Sequence, residues 1–464
     1  MARNPVAGLT TSSHILAMRI TRLRSDLKRA RYLFFAAALA FGAGCTVLTP
    51  EPGPEAQEAA KRLSSDIAKY RENGAQKQTA RNADDIVLGA NLFAEVYEQV
   101  QRHYVREVNE DRLIAAATDE IRKRHPKPSG TSDAKLVEAA IHGMLGSLDN
   151  YSVYLDTEHL KALREQTRGQ FGGLGIEVKK GDKYIHVVTP IDGTPAAKAG
   201  LKPGDHIIRA DGKSLEGLLL RDAVLLLRGA PGSTVVLAIK RGKREPFDVT
   251  IERAVINIAA VRWRAEGDVG YLRITSFSER AGPEVASALH GIKSEMGRSL
   301  RGVVVDLRSN PGGLLDQSIK VSDLFLDSGR IVSTRERNFE HHYNATSGDL
   351  LEGLPIVVLI NNGSASAAEI VAGALKDHHR ALLVGKKTFG KGTVQTIIPL
   401  SRQDAVKLTT AVYLTPSGHS VDGGIEPDVD VGQDEEREGD EQLAAALKIL
   451  SARTTVRSAS AVGR

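Results

Sequence analysis

Three short runs, GVVVDLR (302–308), PIVVLI (355–360) and ALLVGKK (381–387), are apolar almost throughout and do not alternate with polar residues. A strand with one face in water alternates, whereas a strand that does not alternate is buried on both faces. VGYLRITSF (269–277) reads as a further strand. AGPEVASALHGIKSEM (281–296) and AEIVAGALKDH (368–378) carry apolar residues at helical spacing. From Val255 to about residue 432 this order implies an α/β core, a sheet covered by helices on both faces.

The preceding segments have other characters. Residues 85–167 show helical periodicity in LFAEVYEQVQRHYV (92–105) and LVEAAIHGMLGSL (136–148), interrupted by RHPKPSGTSD (124–133). These helices are expected to pack or to self-associate, and a homodimer or higher oligomer through them is plausible on that ground. Residues 168–254 read as a small β-rich unit. GIEVKKGDKYIHVVTP alternates like a hairpin with Gly-Asp at its turn, and LRDAVLLLRG (220–229) follows helical spacing. Residues 46–84 are polar and low in β-formers, which predicts a linker with a weak helix. At the other end, 433–464 predicts one short helix, DEQLAAALKIL, and a tail disordered beyond about Arg453.

The net charge of +5 is not spread evenly. Residues 1–45 hold seven basic side chains and the single acid Asp26, while the remaining 419 hold 55 basic and 56 acidic ones. A neutral body gives no basic patch for nucleic acid. The basic start precedes a 13-residue apolar run, Leu33 to Cys45, ending in small residues. That is the pattern of an export signal and is short for a membrane span. GAGC is similar to a bacterial lipoprotein processing site, where Cys45 becomes lipidated, although Gly42 stands where leucine is usual. A lipoprotein, a cleaved signal and an uncleaved membrane anchor stay open, and Met18 is a second candidate start. Cys45 is the only cysteine, so no disulfide forms within the chain. No metal-ligand cluster or dinucleotide fingerprint occurs, and no cofactor is expected.

The chemistry concentrates in LINNGSASAAEIVAGAL (359–375), where Ser364 and Ser366 stand at a strand-to-helix corner. Ser366 and Glu369 fit a capping box. A serine on such a turn, beside free amides, is also a candidate nucleophile. It needs a base. His378 and His379 close the same helix, ~18 Å away along its axis, and His419 lies in a solvated PSGHSVDGG turn. Ser309 in SNPGG reads as a loop residue. Lysine is the other available base. Lys391 lies between glycines in FGKGTVQ, and Gln395, four residues on, falls on the same face of an extended segment. Burial would lower the pKa of that lysine into working range.

GGLGI (172–176) and AGLKPGDHIIRADG (199–212) resemble a PDZ domain. The resemblance implies that Gly173, Leu174, Gly175 and Ile176 form a loop that binds a peptide's C-terminal carboxylate. The succession of PDZ, DLRSNPGGLL, NNGSASAAEI, FGKGTVQ and TPSGHSVDGGIEPDV resembles the C-terminal processing peptidases, or tail-specific proteases. LDNYSVYL (148–155) is similar to that family's segment before the PDZ, with Asn150-Tyr151 in place of Pro-His. The family implies a crotonase/ClpP-like α/β protease core with an inserted PDZ domain, and Ser366 as nucleophile. Ala368 replaces the last serine of the family motif. Lys391 is implied as general base and Gln395 as its orienting group. Ala367 and Gly312 would supply the oxyanion-hole N–H groups, and Arg228 would couple the PDZ to the core. The implied partners are exported proteins with apolar C-termini, often presented by a helical-repeat adaptor, in the periplasm or cell envelope of a bacterium. A noncatalytic PDZ scaffold and a crotonase-like acyl-CoA enzyme are the competing readings.

Overall fold

The computed structural model describes residues 52–72, 83–127, 131–181, 183–433 and 439–462, so the expected export signal and Cys45 lie outside the described residues. Helices α1 (Pro54–Glu72), α2 (Ala83–His103), α3 (Glu110–Arg124) and α4 (Asp133–Gly146) form the N-terminal helical region. The stretch expected as a linker is therefore partly packed. Ala56, Ala59, Ala60 and Leu63 make an i, i+3, i+4, i+7 stripe that is buried with Phe93, Val96, Tyr97 and Val100 of α2. Alanine supplies most of that stripe, so its hydropathy is low although the face is apolar.

Strand β1 (Val153–Leu155) and helix α5 (Thr157–Arg168) lead to the PDZ segment. Asp156 caps α5, and Gly169 in the left-handed conformation ends it. Next come β2 (Gln170–Gly173), β3 (Ile176–Lys180), β4 (Ile185–Pro190), α6 (Pro195–Lys198), β5 (His206–Ala210), β6 (Lys213–Ser214), α7 (Leu220–Leu227), β7 (Thr234–Lys240), β8 (Phe247–Glu252) and β9 (Ala254–Asn257). The antiparallel order β3-β4-β5-β7-β8 closes on its own core. β2 pairs antiparallel with β9, so the chain enters and leaves this segment side by side.

The core follows with β10 (Val261–Glu266), β11 (Val269–Ile274), α8 (Ala281–Met296), β12 (Gly302–Asp306), α9 (Leu315–Asp323), β13 (Arg330–Arg335) and β14 (Glu340–Asn344). It continues with β15 (Ile356–Ile360), α10 (Ala367–Asp377), β16 (Ala381–Gly385), β17 (Thr393–Pro399), β18 (Ala405–Leu414), β19 (Val429–Asp430) and α11 (Glu441–Val462). One sheet runs β10-β11-β12-β15-β16-β19, parallel except at β10. Strand alternation sorts its residues to two covered faces. Val303, Val305, Ile356 and Val358 join the core under α8, α9 and α10. Val304, Val357 and Leu359 meet Leu443, Ala446 and Leu450 of α11. That helix extends past Arg453, where the sequence reading ends it. The other sheet, antiparallel, joins β1-β18-β13-β14 with β17 along β18. Val406 and Leu408 of β18 bury against the N-terminal helices.

Candidate active site

Ser366 is the N-cap of α10, with φ 55° and ψ −115°. A side chain at positive φ is strained by ~1–3 kcal/mol and persists only where its surroundings hold it. Here two buried groups hold it. The Ser366 N–H donates to Glu369 Oε2 at 2.8 Å, and the Ser366 carbonyl accepts from the Tyr413 hydroxyl at 3.1 Å. The same pair grips Lys391. Its N–H donates to Glu369 Oε2 at 2.9 Å, and its carbonyl accepts from the Tyr413 hydroxyl. Glu369 Oε1 takes Thr388 Oγ1 at 2.5 Å and the Gly390 N–H at 2.7 Å. Glu369, which the sequence suggests only as a cap, thus ties two distant motifs together. Nothing in one S-x-x-E box signals its contacts at 388–391, and Tyr413, in a β-run, carries no functional signal of its own.

Ser364 is excluded as a nucleophile by its bonds. Its buried hydroxyl donates to the Leu307 carbonyl at 2.8 Å and accepts from the Asn361 N–H at 3.0 Å. His378 bonds the Arg330 carbonyl, and His419 is exposed beside Ser417.

Ser366, Lys391 and Gln395 line one cleft of about 260 Å³, with Gly312, Ala367 and Tyr413. Burial first, and the charge of Lys407 second, hold the Lys391 amine below the ordinary 10.5, with Asp149 and Glu369 acting the other way. Its Nζ lies 4.7 Å from the centre of the Tyr151 ring. Among the described residues it makes no hydrogen bond to Ser366. Gln395 does not reach it either, since its Nε2 donates to Thr393 Oγ1 at 2.9 Å and Thr409 Oγ1 at 3.4 Å. Both residues nevertheless line the cleft, together with Thr393 and Ile397, as alternation along an extended segment requires; the register shift beside Gln395 puts its extra residue, Thr410, on β18.

The loop 309–313 packs directly on Ser366. A Cβ on Gly312 would stand 2.8 Å from Ser366 Cβ and 3.0 Å from the Ala367 nitrogen. The Ala367 N–H has no partner among the described residues and opens α10, a position suited to anionic charge. The Gly312 N–H donates to Asn310 Oδ1 at 2.9 Å, so that expected oxyanion donor is engaged within its own loop. Asn310 in turn donates to the Ile274 carbonyl.

In the PDZ segment, Gly173, Leu174, Gly175 and Ile176 line a second cavity with Val224 and Leu227. Gly175 has φ +74°, and a Cβ there would meet Thr194 Cβ at 2.3 Å. The Arg228 guanidinium lies 4.2 Å over the Phe171 ring, and Nη1 is 3.7 Å from Glu165 Oε2 on α5. That helix also lends Leu163, Gln166 and Thr167 to the catalytic cleft.

The descriptions of peptidase family S41 and of the PDZ domain match residues 268–431 and 172–251 respectively. The carboxy-terminal-processing protease of Bartonella bacilliformis is 47% identical over 364 residues, 77% of this chain and 79% of that one. The chain belongs to peptidase family S41. It is accordingly a serine-type peptidase of the carboxy-terminal processing group, with a PDZ domain. Another S41 relative, the carboxy-terminal processing protease CtpA of Bacillus subtilis, is 40% identical over 303 residues, 64% of each chain. Among solved structures, the photosystem II D1 C-terminal processing protease aligns with 74% of this chain and 92% of its own at 30% identity, with a TM-score of 0.46.

Proposed function

We propose that this S41 peptidase is an exported endopeptidase that takes the C-terminal tail of a protein on its PDZ segment and cleaves by a Ser366–Lys391 acyl-enzyme mechanism. The observation that carries the mechanism is the double grip of Glu369 and Tyr413 on the backbones of Ser366 and Lys391, which brings a strained serine and a desolvated lysine to one cleft. Neutral Lys391 Nζ accepts the Ser366 hydroxyl proton as Oγ attacks the scissile carbonyl. The Ala367 N–H stabilises the oxyanion, joined by the Gly312 N–H once it is released from Asn310. The C–N bond breaks, and the leaving amine takes the proton from Lys391. Water then gives a proton to Lys391 and its oxygen to the ester, and the proton returns to Ser366.

The apolar pocket of Leu174, Ile176, Val224 and Leu227, beside the Gly175 turn, favours an apolar C-terminal residue. Docking there acts on Arg228 and through Glu165 on α5, and so brings the amine from Tyr151 to the hydroxyl. Export rests on the basic, apolar, small-residue pattern of 1–45. No helix among the described residues is long and apolar enough to cross a membrane. The test is cleavage of an unstructured protein ending in an apolar tail. Ser366→Ala and Lys391→Ala should each abolish cleavage, and masking the tail by amidation should slow it. Tail binding without cleavage by the unmodified protein contradicts the mechanism.

A further inference from the structure

Lys407 stands within β18, opposite Ile397 of β17 and Val153 of β1. Its neighbours Val406 and Leu408 face the N-terminal helices, so alternation turns Lys407 to the other face, which it shares with Tyr413. It lines the catalytic cleft with Ser366 and Lys391, beside apolar Leu163, Phe277 and Ile397. Several other partly buried cations of the core are neutralised: Arg273 and Arg308 by Asp306, Arg380 by Asp349, Lys376 by Asp428. Among the described residues, the Lys407 ammonium has neither an ion pair nor a hydrogen bond.

The carboxylates that act on Lys391 from nearby are spent. Asp149 accepts from the Tyr151 and Ser152 N–H groups at 2.7 Å each, and Glu369 from Ser366, Thr388, Gly390 and Lys391. An ammonium that lines the cleft without a counter-ion offers its charge to an anion brought in by the substrate. We infer that Lys407 is a specificity residue of the cleft, pairing with an acidic side chain of the substrate close to the scissile bond. Its ligand is thus an Asp or Glu of the segment being cut, distinct from the terminal carboxylate at the PDZ. This inference rests on Ser366 as the nucleophile of the cleft.

The test uses the full chain and one unstructured substrate with a fixed apolar tail and a cleavage point mapped by mass spectrometry. Glu, Gln or Lys is placed in turn at each position flanking the scissile bond, and kcat/KM is measured. The unmodified enzyme should prefer Glu to Gln roughly five- to tenfold at one position, with Lys poorest. Lys407→Arg should keep that order, Lys407→Met should level it, and Lys407→Glu should invert it. Should Lys407→Glu not fold by circular dichroism, the Arg and Met variants decide. No charge preference in the unmodified enzyme, or a preference that survives Lys407→Met, overturns the role of Lys407 and leaves the Ser366 mechanism standing. Failure of the unmodified enzyme to cleave, or cleavage that persists in Ser366→Ala, overturns the mechanism itself and this inference with it.

Discussion

Ser366 and Lys391 are held by their backbones. Glu369 accepts from both N–H groups, and the single hydroxyl proton of Tyr413 is shared between both carbonyls. Glu369→Gln keeps the shape but leaves one oxygen where two were in use, and turns an amide N–H toward N–H donors. We expect at least a tenfold drop in kcat and a stability loss of ~1–3 kcal/mol, read by kinetics and urea unfolding. The pH profile follows from Lys391. In the proposed mechanism its neutral form is the base, and burial holds its pKa below 10.5, so kcat/KM should rise with pH through an ionisation below that value. Tyr151→Ala admits water to the amine and should move this limb to higher pH, toward the ordinary range. The folded state holds this proton less tightly than the unfolded chain does. Stability therefore gains as pH rises across the window between the depressed value and 10.5. Ser366 and Lys391 were legible because each lies in a short motif of small residues. Glu369 and Tyr413 were not, because their work depends on contacts between segments far apart in sequence.

At the scale of elements, β12 and β15 were readable because a strand buried on both faces leaves an unbroken apolar run. α1 was readable only as a weak helix in a linker, and its packing was not, since four small or medium residues suffice for its buried stripe while the rest of the helix is polar. The bulge at Thr410 of β18 was also invisible, whereas the alternation that puts Gln395 on the cleft with Lys391 was readable. α5 is the element with a foot in each site: Glu165 meets Arg228 of the PDZ segment, and Leu163 lines the catalytic cleft. Gly175→Ala puts a methyl group into Thr194 at a positive φ, so calorimetry should find tail-peptide affinity lowered at least tenfold. Arg228→Ala should instead leave tail affinity within a few-fold and lower the stimulation of cleavage by the tail. Equal loss of affinity in both variants would assign Arg228 to binding and not to coupling.

For the whole molecule, the PDZ segment is an insertion whose ends are zipped by β2 and β9, while Ser366 and Lys391, the proposed nucleophile and base, belong to the α/β core. In the structure the amine rests over Tyr151, and no hydrogen bond joins it to the Ser366 hydroxyl. The account therefore requires that a docked tail bring the two together. The most direct measurement is the rate at which a fluorophosphonate labels Ser366 across pH, with and without a tail peptide, in the unmodified protein and in Lys391→Met. Faster labelling is expected when the peptide is bound, governed by an ionisation below 10.5 and lost in Lys391→Met. Labelling that is equally fast in Lys391→Met, with the peptide bound, would contradict it.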